Sequence, residues 1–167
     1  PEGGNLRPLS DVIGEKKNFQ QWIGIAPFAA HEGKILPIEK TEELIKEISR
    51  RHPSCRIFLF GGGEKEHAVL NAWCERYNNC TNASQALSSL KEEMVVMSHL
   101  DVMVSMDSGN MHLAAISGTR VISVWGETHP YAGFLGWNQR PEDCIQADLP
   151  CRPCSIYGNK PCQRGDY

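Results

Sequence analysis

Four short apolar runs, at residues 22–26, 56–60, 102–105 and 121–125, are separated by stretches of helical spacing, and that alternation leaves few folds open. The runs are apolar on consecutive residues (Ile57, Phe58, Leu59 and Phe60 in one, Val102, Met103 and Val104 in another), so both faces of each strand need cover. Strands of that kind belong to a parallel sheet whose right-handed crossover helices pack on both sides. Pro27 and Gly126 stop the first and last runs, where a ladder donor or a side chain is missing. Residues 37–52 place Ile38, Leu44, Ile45 and Ile48 at helical spacing, with Glu39, Glu42 and Glu43 early and Lys46, Arg50 and Arg51 late, the order that suits a helix dipole. Further helices are predicted over residues 64–77, 88–98 and 110–117, the last with Gly118 as its C-terminal cap. The expectation is an α/β, Rossmann-like parallel sheet with helices on both faces. Its ligand would bind at the carboxyl ends of the strands, in the loops after Ala26, Phe60, Ser105 and Trp125.

A chain of 167 residues is about one domain and can bury a sizeable core without disulfide staples. A net charge of -3 offers no broad attraction to nucleic acid or anionic lipid. No run approaches the roughly 20 apolar residues that cross a bilayer, so no transmembrane segment is expected. Seven cysteines, an odd number with Cys55 beside a strand and Cys74 on a helix, fit a reducing compartment better than a disulfide framework, which points to the cytoplasm. The first residues carry neither an initiator Met nor a secretory pattern, and the expectation is a piece of a longer or processed protein. Three parts follow: a lead-in over residues 1–21, a ligand-binding domain over 22–140, and a Cys/Pro-rich tail over 141–167, irregular and packed on the domain.

The loop from Met106 to His112 joins a strand directly to a short helix, which leaves backbone N–H groups and the Ser108 hydroxyl at a positive helix terminus where a phosphate fits. Gly109 permits close backbone approach, and His112 sits about one turn inside the helix. Plain capping by Asp107 or Ser108, with His112 a satisfied histidine, explains the same residues. Lys34, after Ala29 and Ala30 in the first loop, neutralises a phosphate on one reading and is a solvated lysine on the other. Gly61, Gly62 and Gly63 lack the spacing of a dinucleotide site or P-loop; Glu64 accepts from a ribose diol or simply starts a helix. In the tail, Cys151 and Cys154 form one CxxC, with Cys144 and Cys162 nearby. That set could serve a structural zinc, a disulfide or redox pair, or ordinary reduced thiols.

Taken together these loops resemble a known family. The run from Asp101 to Ala115, the strand 121–125, and Gly126, Glu127, Thr128, His129 and Pro130 look like the D-[ST]-G-x-x-H-L-A-A … G-x-T-x-P signature of glycosyltransferase family 9, the heptosyltransferases of lipopolysaccharide core assembly. The likeness extends to the Lys34 loop, the Gly61 turn and the Cys-rich tail, covering most of residues 22–162. It implies an inverting enzyme of the GT-B fold, two Rossmann-like domains facing across a cleft, with this chain the C-terminal, nucleotide-sugar-binding half. The lead-in then follows from an N-terminal, acceptor-binding domain that supplies the catalytic base, so no residue here is catalytic. Lys34 would contact the donor diphosphate, Ser108 and Gly109 would hold phosphate oxygens, Glu64 would bind the ribose, and Asp107 and His112 would face the sugar or phosphates. The donor would be ADP-heptose or similar, with no cofactor or metal required. The acceptor would be a lipid-linked saccharide, reached through the N-terminal domain on the inner face of the cytoplasmic membrane. One departure stands out: Ala29 and Ala30 occupy positions where some members carry hydroxyls. The competing expectation is a non-catalytic α/β module that binds metal or works in redox chemistry through the CxxC tail.

Overall fold

The computed structural model describes residues 3–18, 20–162 and 164. Its elements follow in the order α1 (Ser10–Ile13), β1 (Trp22–Ala26), α2 (Ile38–Arg51), β2 (Arg56–Leu59), α3 (Gly63–Arg76), β3 (Cys80–Asn82), α4 (Ala83–Ala86), α5 (Leu90–Met97), β4 (Val102–Met106), α6 (Gly109–Ile116), β5 (Val121–Trp125) and β6 (Cys144–Gln146). The six strands form one parallel sheet in the order β3-β2-β1-β4-β5-β6. The order reverses direction between β1 and β4, and such a switch point opens a crevice at the carboxyl edge of the sheet.

Alternation within each strand feeds two separate cores. Trp22, Phe58, Met103 and Trp125 point to one face, where they join Leu9, Ile13, Val96, Met97, Met111 and Ala114. Ile23, Ile25, Ile57 and Leu59 point to the other and meet Ile45 of α2 and Leu70 and Trp73 of α3. This is why the strands read as continuous apolar runs: neither side faces water. Gly24 interrupts the run in β1 because a Cβ there would lie 2.6 Å from Leu100 Cδ1 and 2.7 Å from Met103 Sδ.

The terminal segments are more structured than their composition suggests. In the lead-in, Leu9 and Ile13 are buried in the first core, and Lys16 pairs with Asp101, whose carboxylate also accepts the Trp22 amide at 2.7 Å. The stretch expected to be irregular opens with β6, which pairs parallel with β5 in the register Ser123↔Cys144 and Trp125↔Gln146. Arg120 and Asp143, just before these two strands, close a two-pronged ion pair with contacts of 2.9 and 2.6 Å. No helix among the described residues is long and apolar enough to cross a membrane.

Candidate functional site

Asp107 follows β4 directly and is 3% exposed. A carboxylate so buried needs partners, and two loops supply them. Lys34 Nζ lies 2.9 Å from Asp107 Oδ2, and the Thr128 hydroxyl, itself fully buried, donates to the same oxygen at 2.9 Å. Lys34 stands at the end of a 3-10 turn, Glu32–Lys34, in the loop after β1. Thr128 lies in the loop after β5. Three carboxyl-end loops therefore meet at one oxygen. The Lys34 ammonium also sits 5.6 Å from the centre of the Phe134 ring.

Ser108 is the N-cap residue of α6, yet its side chain makes no capping bond to the helix. Its hydroxyl lies 3.3 Å from that of buried Ser105 instead. The first-turn amides of α6 thus take no side-chain cap from Ser108 and carry the positive end of the helix dipole. They border a cleft of about 270 Å³ lined by Phe28, Ala29, Ala30, Glu66, Ser108 and Gly109, with Asn110 and Leu113. The two alanines form one wall of it, so the hydroxyls missing from the sequence pattern are missing from this wall.

Of the six residues singled out by sequence, Lys34 and Asp107 come together as an ion pair, and Ser108 and Gly109 border the cleft beside them. Glu64 and His112 are exposed and lie outside the cleft lining. Glu66, two residues on, does line the cleft. Because α3 begins at Gly63, Glu66 falls one turn in, and its Oε2 accepts the Gly62 amide at 2.7 Å. A run of three glycines leaves the start of the helix open, so residue type alone does not say which of the two glutamates turns toward the cleft. Behind the glycine turn, the Gly61 amide donates to Ser84, and Ser84 donates to Glu93, whose carboxyl burial pushes up against that bond.

The tail packs against this site from behind. Cys151, Cys154 and Cys162 line a mostly apolar cavity of about 310 Å³ shared with Lys34, Trp125 and Glu127. Cys144 is elsewhere, starting β6 and packed against the first core. All seven cysteines are free thiols, and no group of three or more His, Cys, Asp or Glu among the described residues is arranged to hold a metal. Burial pushes the Cys154 thiol up, and Cys151, Glu127 and Cys162 push it further. Glu127 is 3% exposed, and its Oε2 has no hydrogen-bond partner among the described residues. Gly33 leaves room for it: a Cβ at that position would lie 2.2 Å from this oxygen.

Comparison with known proteins agrees with this fold. The family model described as glycosyltransferase family 9 (heptosyltransferase) matches residues 9–162. The lipopolysaccharide heptosyltransferase 1 of Campylobacter coli is 31% identical over 127 residues, which are 74% of this chain and 35% of that protein. Among solved structures, E. coli ADP-heptose LPS heptosyltransferase II shares the fold with a TM-score of 0.65 at 22% identity, over 84% of this chain and 41% of that one. E. coli heptosyltransferase WaaC, solved with ADP, aligns with a TM-score of 0.62 at 23% identity over 78% of this chain and 38% of that one. The chain thus spans between a third and a half of the length of these relatives. Since the family match runs through the whole sheet and both ends of the site, this chain belongs to glycosyltransferase family 9.

Proposed function

We propose that this chain is the nucleotide-sugar-binding half of an inverting glycosyltransferase of lipopolysaccharide core assembly. Its donor is ADP-heptose or a close analogue. Its acceptor is a lipid-linked saccharide, met through an N-terminal domain at the inner face of the cytoplasmic membrane. The observation that carries this reading is the Lys34–Asp107–Thr128 cluster beside the uncapped start of α6. As the glycosidic bond forms, the leaving nucleoside diphosphate gains negative charge, and a fixed ammonium with helix-terminal amides stabilises that charge. Asp107 and Thr128 hold the ammonium in place between turnovers. Glu66, across the cleft from Ser108, joins Glu64 as a candidate for the ribose hydroxyls. WaaC with bound ADP supports ADP as the nucleotide, through fold and family.

Calorimetric titration of ADP, with amide shifts mapped by NMR, tests this directly. Shifts should centre on residues 107–111 and on Lys34, and a map centred on residues 151–162 would overturn the assignment. The chain alone should also bind donor without transferring sugar, because half a cleft neither orients the acceptor nor supplies a base. Adding the N-terminal half should restore turnover. Acceptor-dependent release of ADP by residues 1–167 alone would show that the base has been sought in the wrong half.

A further inference from the structure

In the tail motif Cys151-Arg152-Pro153-Cys154 the arginine makes a dense set of polar contacts with the loop after β5. An arginine has five N–H donors, and those of Arg152 meet these five acceptors among the described residues. Nε donates to the Gly126 carbonyl at 2.5 Å, and one terminal nitrogen donates to the Trp125 and Thr128 carbonyls at 3.1 and 2.8 Å. The other donates to the Ala147 carbonyl at 2.5 Å and to Gln146 Oε1 at 3.4 Å. The one carbonyl of this loop that Arg152 does not take, that of Glu127, accepts the Cys154 amide at 2.8 Å. Each carbonyl from Trp125 to Thr128 is thus held by the tail. The same loop reaches forward twice: the Glu127 amide donates to the Gly33 carbonyl at 2.8 Å, next to Lys34, and the Thr128 hydroxyl donates to Asp107.

We infer that Arg152 is a positioning residue for donor binding, fixing the 125–128 loop so that Thr128 and Gly33 set the Lys34–Asp107 pair where a diphosphate meets it. Arg152 acts through that pair without touching the nucleotide. This rests on the donor-binding reading above. A planar five-donor fork suits the task, because lysine brings one ammonium with three donors and cannot span carbonyls spread over four residues.

The test uses the whole chain and ADP as probe. Arg152→Lys, which keeps the charge, should weaken ADP binding by about fivefold or more, and should weaken it less than twofold in a Lys34→Ala background, the non-additivity expected of residues acting through one contact. A general loss of stability would instead lower affinity equally in both backgrounds, and that result overturns the inference, as does full affinity in Arg152→Lys. Thr128→Val cuts the link without touching the tail and should reproduce the loss, so unchanged ADP affinity in this variant also overturns it. A second readout needs no nucleotide. Arg152→Lys should speed hydrogen exchange at the Glu127 amide at least tenfold while leaving the Phe60 amide, bonded to Ile25 in the core, unchanged. If wild-type protein fails to bind ADP, the donor-binding reading falls, and the exchange result alone decides the loop's dependence on Arg152: unchanged Glu127 exchange overturns it.

Discussion

The two sides of the sheet are held by different forces. On the β1–β3 side, Ile23, Ile25, Ile57 and Leu59 pack against Ile45, Leu70 and Trp73, and the element positions follow from burying those side chains. On the β5–β6 side, strand β6 has two exposed residues of three, and the connections are polar: Arg120 to Asp143, Arg152 to four carbonyls, Thr128 to Asp107. Apolar packing sets a position to within what side-chain shape allows. A fork of hydrogen bonds sets backbone direction, which is what placing Thr128 against Asp107 requires. The site lies along the seam, taking its lysine loop from β1 and its supports from β4, β5 and the tail.

If that contrast is real, the largest loss of stability should come from the apolar side. Trp73 is fully buried and its indole N–H donates to Glu42 at 3.3 Å. Trp73→Ala should cost about 3–5 kcal/mol of unfolding free energy, the range for deleting a buried aromatic. Urea unfolding followed by circular dichroism measures it. A cost no greater than that of Arg120→Ala, measured alongside, would remove the distinction between the two sides.

Lys34→Ala should sharpen the contrast, because it acts on binding and stability together. ADP affinity should fall by about 1–3 kcal/mol, the value of a charge-assisted contact to phosphate. The melting temperature should fall as well, since the variant leaves the Asp107 carboxylate, 4% exposed, with the Thr128 hydroxyl and no cation. Asp107→Asn in the same background should recover part of the stability and none of the affinity. Calorimetry and thermal melts separate the two. Affinity unchanged in Lys34→Ala would limit this residue to holding the buried Asp107 carboxylate.

How much of this was legible in the sequence divides along the same seam. The predicted strands at 22–26, 56–60, 102–105 and 121–125 and the four longer helices match the structure to within two residues, because burial on both faces writes itself as runs and helical spacing. Strands β3 and β6 escaped notice. Each is three residues long and polar in composition (Cys80, Thr81, Asn82; Cys144, Ile145, Gln146), and the pairing with β2 or β5 supplies what composition does not. Within the site, Lys34, Asp107, Ser108 and Gly109 were visible as loop residues after strands. Thr128 was present in the quoted signature without a role. Arg152 and Glu66 were invisible, since backbone carbonyls as partners, and the first residue of a helix after three glycines, leave no mark in residue type.

The smallest effect expected is a pH dependence confined to the polar side. Hydrogen bonds from Arg120, then its charge and that of Arg140, hold the Asp143 carboxyl below its ordinary value of 3.8, against the opposing effect of burial. A group with a depressed folded value contributes stability that is fully present above its unfolded value and is lost as pH falls through the folded one. The Arg120–Asp143 clasp should therefore hold at pH 6 and loosen progressively below about pH 4. Arg120 is 56% exposed, so solvent and salt screen the pair and the change is modest. On the apolar side, Arg50 and Arg51 lower Glu47 to about 2, which adds its own acid sensitivity through α2. Comparing wild type with Asp143→Asn cancels that common contribution. The wild-type urea midpoint should drop more between pH 6 and pH 3 than the variant's, with hydrogen exchange accelerating first at Ile145 and last at Leu59. Equal drops in the two proteins would mean that the β6 edge does not depend on this ion pair, and that β6 is held by its ladder with β5 alone.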